Sequence, residues 1–237
     1  LEGVGAVLFD EFHERSLNAD LGLALAWEVR GALREDLILL PMSATLDAAP
    51  VAALMADAPV VTAEGRAFPV ETVHLDAALP KGARVEEAVA GLARRALAET
   101  AGSVLVFLPG EREIRRTAAL LGDLPGDVDL RTLYGAMPFD EQRAAIAPGP
   151  PGRRKLVLAT AIAETSLTIE GIAAVVDAGR ARRARFDPRS GMSRLVTERV
   201  SRAEATQRAG RAGRLGPGRC YRLWTKGEEG ALPAFAP

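Results

Sequence analysis

The sequence has 237 residues, 48% of them apolar and only 5% aromatic, enough for one large or two small domains with an aliphatic core. Its 30 basic and 31 acidic residues leave a formal charge of -1, so composition alone points to neither nucleic acid nor an anionic membrane as partner. The single cysteine, Cys220, excludes an internal disulfide and fits a reducing, cytoplasmic compartment, and no apolar run approaches the roughly 20 residues that span a bilayer.

Short apolar runs alternate along the chain with amphipathic ones, the pattern of an α/β fold whose parallel sheet carries helices on both faces. Val4 to Asp10 is predicted as a buried strand ending in acids, Arg15 to Leu33 as a helix and Asp36 to Thr45 as the next strand. Val60 to Thr62 suits a short strand, and Ala63 to Arg66 a linker. A second run then follows, with strands at Val70 to Leu75, Val104 to Leu108, Leu130 to Tyr134, Lys155 to Thr160 and Ala173 to Asp177. Helices are expected between them at Val85 to Thr100, Arg112 to Leu121 and Asp140 to Ile146. The turn formers from Asp187 to Gly191 lie between short apolar runs and predict a β-hairpin near 184–196. A helix from Arg202 to Ala212 and a strand from Arg219 to Trp224 complete the pattern. The expected division is therefore 1–62, the end of one α/β domain, and 63–237, a second. The chain starts at Leu1 rather than Met, directly in a strand pattern, and reads as cut there.

Three groups of residues suggest chemistry. Asp10 and Glu11 follow the first strand, and open parallel sheets bind ligands beyond the carboxyl ends of their strands. One carboxylate there can hold Mg²⁺ while the other orients a water; the competing reading is two acids favoured by the following helix dipole. Ser43 and Thr45 end the next strand and place two hydroxyls beside the acids, although hydroxyl residues are also ordinary turn formers. Between Arg180 and Arg214 the chain carries 11 arginines against three acids, the electrostatic footprint of a phosphate-binding element or else a solvated charged face. Within it, Gln207 to Arg214 reads QRAGRAGR, with Arg208, Arg211 and Arg214 three residues apart and so close to one side of a helix. The interleaved Gly and Ala permit close approach of a backbone or a phosphate.

Taken in order, these segments resemble the DEAH-box class of superfamily 2 helicases. Asp10 to His13, spelled DEFH, resembles the second motif of that class, and Ser43-Ala44-Thr45 its third. Leu105 to Gly110 is similar to the fourth, TAIAETSLTIEG from Thr160 to Gly171 to the fifth, and Gln207 to Arg214 to the sixth. The DEFH spelling and the ARFDPRSGMSRL segment look most like the bacterial HrpB-type branch. The resemblance implies RecA-like sheets and ATP or another NTP with Mg²⁺ as cofactors. Asp10 and Glu11 would serve the metal and the attacking water, His13 would link that site to the sixth motif, and Gln207, Arg211 and Arg214 would act at the phosphates. Ser43, Thr45, Glu170 and Arg208 would be further nucleotide contacts or links. Thr160, Thr165, Ser166 and Thr168 would contact nucleic acid, with Arg189 and Arg194 on a hairpin that abuts the duplex, unless that hairpin merely covers a sheet edge.

The resemblance also implies single-stranded or partly duplex nucleic acid as partner, RNA favoured, with 3′-to-5′ translocation, no membrane, and further helicase segments on either side of this chain. The sequence departs from the pattern in three ways. No Gly-Lys-Ser/Thr phosphate loop occurs in it, so the chain is expected to be inactive alone. Ala161 stands where the class usually has Asn, and Ile146 where many relatives carry a base-stacking Phe. A non-catalytic nucleic-acid-binding or regulatory module is the alternative reading. The DEAD-box class is set aside, because Gln207 and His13 stand where that class has His and Asp.

Overall fold

The computed structural model describes residues 2–12, 16–43, 48–63, 68–164 and 167–235. The chain divides into two compact units, Leu1–Gly65 and Arg66–Pro237, so the division falls three residues beyond the one read from composition.

The first unit contains two parallel strands, β1 (Ala6–Phe9) and β2 (Ile38–Pro41), joined through the 16-residue helix α1 (Leu17–Ala32). Ser16 starts α1 by accepting a hydrogen bond from the Ala19 amide at 3.1 Å, which satisfies one of the orphan donors of the first turn. Arg30 in its last turn and Arg34 just beyond it bond the Leu37 and Val4 carbonyls at 3.1 and 2.9 Å, tying the end of the helix to the segments that lead into both strands. A short helix, α2 (Ala49–Leu54), follows with Pro50 in its first turn. The sequence pattern does not reveal it, because six residues are too few to show a helical period. The short strand expected at Val60 to Thr62 does not form: these residues have no ladder partner, and Val61 is 92% exposed.

The second unit is a six-stranded parallel sheet. Its strands are β3 (Val70–Val73), β4 (Ser103–Phe107), β5 (Val128–Leu133), β6 (Arg154–Ala159), β7 (Ile172–Asp177) and β10 (Gly218–Arg222), in the order β3-β10-β7-β4-β6-β5. The period-2 geometry of strands sends alternate side chains to opposite faces, and the sequence is apolar at both parities. Val104, Val106, Leu156, Leu158, Ala174 and Val176 pack on one face against α3 (Val85–Glu99) and α4 (Glu111–Leu121). Leu105, Phe107, Val157, Ala159, Val175 and Cys220 pack on the other, which α5 (Phe139–Ile146) and α6 (Arg202–Gly210) cover. Helix α3 presents Val89, Ala90, Ala93, Ala96 and Leu97 as one buried stripe, the 3.6-residue signature of a surface helix.

Lys155 is a buried lysine whose Nζ donates to the Ala145 carbonyl at 2.8 Å and to those of Ile146 and Ala147. It thereby caps the last turn of α5, where a cation also suits the helix dipole. Two further strands, β8 (Arg180–Asp187) and β9 (Met192–Arg199), form a separate antiparallel hairpin. It is longer than the expected 184–196 because its first strand is an Arg-rich alternation with few apolar residues to mark it. A last short helix, α7 (Lys226–Gly230), opens with a capping box between Thr225 and Glu228.

Candidate active site

In the first unit the acids sit where β1 ends. The Met42 amide bonds the Phe9 carbonyl at 2.8 Å and the Phe12 amide bonds the Met42 carbonyl at 2.9 Å. These bonds lock the Asp10-Glu11-Phe12 turn to the start of the Met42-Ser43 segment. Asp10 Oδ1 accepts the Glu11 amide at 2.9 Å. Glu11 has φ of +50°, a left-handed conformation that few non-glycine residues adopt, and such strain tends to persist where a side chain must be aimed. Phe12 is buried and meets Phe9 edge to face, which holds the turn down. The structure thus brings Asp10, Glu11 and the exposed Ser43 to one end of the two-stranded sheet. His13 and Thr45 lie outside the described residues. Among the described residues no cluster of three or more His, Cys, Asp or Glu side chains is poised to hold a metal ion.

In the second unit the segments similar to the fifth and sixth motifs meet. The first follows β6: the Thr160 amide bonds the Leu133 carbonyl at 3.0 Å, and a 3-10 turn over Ala161–Ala163 leads to Glu164. Thr165 and Ser166 lie outside the described residues. The second spans α6 and a 3-10 turn, Arg211–Gly213. The expected single helix to Ala212 therefore changes form at Gly210, yet all three arginines bond the Glu164–Thr168 segment. Arg211 donates to the Leu167 carbonyl at 2.9 Å and to that of Glu164. Arg214 donates to Thr168 Oγ1 at 2.8 Å. Gln207 is half-buried on α6, and Glu170 is exposed in the turn before β7.

Arg208, expected as a nucleotide contact or link, is buried. Its side chain is 1% exposed, stacked 4.9 Å over the Phe107 ring, and donates through Nε to Glu164 at 2.6 Å and through Nη1 to Asp177 at 2.7 Å. Burial opposes its charge, but the two carboxylates outweigh burial and raise its pKa. Burial also raises the pKa of Glu164, against the pull of Arg208. Sequence reasoning misses Glu164 and Asp177. The signal that could have found the second is a carboxylate ending the apolar run Ala173 to Val176, which demands a buried cation.

The glycines of this segment have distinct roles. A Cβ on Gly213 would lie 2.6 Å from the Phe68 carbonyl oxygen, whereas one on Gly210 would face open space. Gly213 thus admits the chain entering β3, as the Gly/Ala interleaving suggested for a backbone.

The hairpin closes at Asp187 opposite Met192. Arg189 and Arg194 are exposed near its tip and have no ion-pair partner among the described residues. Phe186 and Leu195, 65% and 70% exposed, lie on the face opposite Arg194.

Residues 83–216 match the family of the helicase conserved C-terminal domain, more than half of the chain. The chain belongs to that family. This helicase C-terminal domain is 56% identical over 227 residues to the ATP-dependent RNA helicase HrpB of Escherichia coli strain K12, covering 95% of the chain and 28% of the relative. It is 39% identical over 235 residues to the pre-mRNA-splicing factor ATP-dependent RNA helicase prp22 of Schizosaccharomyces pombe, covering 95% of the chain and 20% of that protein. Two crystal structures of E. coli HrpB, one described as a DExH-box NTPase and the other as a DEAH/RHA helicase, match all of the chain at 53% identity, with TM-scores of 0.88 and 0.91. The chain spans 29% and 30% of those two structures. The DEAH-box resemblance read from the motifs and the parallel sheet with helices on both faces both agree with these relatives. Among the described residues no helix is long and apolar enough to cross a membrane.

Proposed function

We propose that residues 1–62 are the end of the first motor domain, and residues 63–237 the whole second motor domain, of a cytoplasmic ATP-dependent helicase of the DEAH-box class. The parent would translocate 3′-to-5′ on single-stranded or partly duplex nucleic acid, RNA above all. The likeness to two proteins named as ATP-dependent RNA helicases supports the substrate class.

The observation that carries the reading is that Arg211 and Arg214 both bond the Glu164–Thr168 segment, one through carbonyls and the other through a hydroxyl. Such bonds aim a guanidinium, the side chain whose planar fork best matches a phosphate, and tie it to the segment that would follow the nucleic-acid backbone. Arg208, held between two carboxylates, then acts as a structural tie and not as a phosphate ligand. Asp10 would hold Mg²⁺, and Glu11, aimed by its left-handed backbone, would polarise water with help from Gln207. Bound Mg²⁺ would act as a Lewis acid on the phosphate oxygens. His13, Ser43, Thr45 and Glu170 would link the nucleotide to domain movement, and Thr160, Thr165, Ser166 and Thr168 would hold the nucleic-acid backbone. Arg189 and Arg194 would meet the duplex. In the full-length parent, Arg211→Ala should lower RNA-stimulated NTP turnover by at least about 100-fold with an unchanged circular dichroism spectrum. Normal turnover in that variant would overturn the assignment of Arg211 to the phosphates, whereas a wild-type parent without turnover would favour a non-catalytic nucleic-acid-binding module.

A further inference from the structure

The hairpin is fastened at its root, and its outer half is largely exposed among the described residues. The root is held by the ion pairs Arg182–Glu113 at 3.3 Å and Arg199–Glu228 at 3.1 Å, by an Arg208 bond to the Arg180 carbonyl at 3.3 Å, and by the contacts that follow. Ala181, near the start of β8, and Val200, just after β9, share a small apolar cluster with Ala205 of α6, Trp224 and Leu232. The Val200 amide bonds the Gly179 carbonyl at 3.1 Å, closing the base. Arg183 then reaches out of the hairpin altogether, with Nη1 on Glu198 of the opposite strand at 3.2 Å and Nη2 on Glu204 in the first turn of α6. Glu204 is already committed to α6, because its Oε2 accepts the Ser201 amide at 2.6 Å while Ser201 Oγ accepts the Glu204 amide at 3.2 Å. One carboxylate therefore caps the helix that carries Gln207 and leads into Arg211, and at the same time holds the hairpin. Around and beyond Arg185, itself paired with Glu198 at 2.7 Å, the strands expose Leu195, Phe186 and Met192.

We infer that Arg183 and Glu204 are positioning residues that make the hairpin and α6 one lever, so that a displacement of α6 at the nucleotide becomes a displacement of the hairpin tip against the duplex. The inference rests on the helicase reading above. Arg183 suits the task because a guanidinium can bridge two carboxylates at once, and both pairs are largely sheltered from solvent. Removing the bridge leaves the bonds that Arg211 and Arg214 make to the Glu164–Thr168 segment in place and loosens only the transmission.

The test is a double-mutant cycle in the full-length parent, reading RNA-stimulated NTP turnover and base pairs separated per NTP consumed. Arg183→Gln removes the bridge, and Glu204→Gln removes its charge while keeping a residue that serves equally in a capping box. Each variant should keep the KM for NTP and the RNA-stimulated kcat within about twofold while strand separation per NTP falls about five- to tenfold, and the double variant should be no worse than either single one. A merely structural role would lower turnover and separation together, and that parallel loss overturns the inference. Unchanged separation per NTP in Glu204→Gln overturns it as well, even if Arg183→Gln fails to fold. Failure of the helicase reading itself would show differently, as a wild-type parent with no RNA-stimulated turnover.

Discussion

Arg208 Nη1 lies 2.7 Å from Asp177 Oδ1, with the two side chains 1% and 0% exposed. The same carboxylate oxygen accepts the Gly179 amide at 2.8 Å, so the end of β7, the root of the hairpin and α6 converge on one buried charge. A second carboxylate, Glu164, brings in the segment after β6. Breaking such a site by removing one member is costly, because the remaining charges stay buried without a partner. Arg208→Met should therefore destabilise the chain by about 3–5 kcal/mol, read as a lower urea midpoint. A loss below about 1 kcal/mol would show that the two carboxylates relax to solvent at little cost, against their burial in the fold.

Cys220 is buried in β10, and burial pushes its thiol up to about 12. A thiolate is the reactive form, so the native chain should resist iodoacetamide at pH 8 and react once denatured in guanidinium. Rapid labelling of the native chain would show that β10 frays open.

Two glycine substitutions should move stability in opposite directions. Gly213→Ala forces a methyl to within 2.6 Å of the Phe68 carbonyl oxygen and 2.8 Å of Val70 Cγ2, an overpacking expected to cost about 1–3 kcal/mol. Gly91 lies inside α3, where a methyl at its Cβ position would have nothing within 4 Å, and Gly91→Ala should stabilise by about 0.5–1 kcal/mol through helix propensity alone. Thermal midpoints of the two variants measured side by side check both signs.

Glu204 gives an expectation about pH. Burial raises its pKa, but the Ser201 amide and hydroxyl and the Arg183 guanidinium together hold it below the usual carboxylate range. A carboxylate depressed in the folded state contributes stability that is present above its unfolded value, near 4.3, and is lost as pH falls through its folded value. The difference in thermal midpoint between wild type and Glu204→Gln should thus be full from neutral pH down to about pH 5 and vanish in stronger acid. A difference that persists undiminished in acid would mean that the charge of Glu204 does not act on α6.

Much of the second unit was legible because its signals were long and redundant. Strands β4 and β6 carry the apolar runs Val104 to Phe107 and Leu156 to Ala159, and the Val89 to Leu97 stripe of α3 has a clear helical period. Short elements held by tertiary contacts left no such trace, as with α2 and with α7, whose capping box only matters once the chain has turned at Thr225. Among the candidate site residues, regular spacing brought Arg208, Arg211 and Arg214 to notice but could not tell their surroundings apart. That difference arises from where Gly210 ends α6 and from two carboxylates supplied by distant segments, 44 and 31 residues away in the chain. The hairpin tip was visible in its turn formers, whereas the Arg183 bridge to Glu204 depends on a register set by the folded pair.

The helicase reading stands or falls on NTP hydrolysis by this 237-residue chain, measured with and without single-stranded RNA, before and after an upstream phosphate-loop segment is joined to it. No turnover is expected from the chain alone and RNA-stimulated turnover once that segment is present, because the sequence carries no Gly-Lys-Ser/Thr cradle to bring phosphates to Arg211 and Arg214. RNA-stimulated hydrolysis by the chain alone would contradict that reading, since the phosphates would then be held by groups other than Asp10, Glu11, Arg211 and Arg214 with a borrowed cradle.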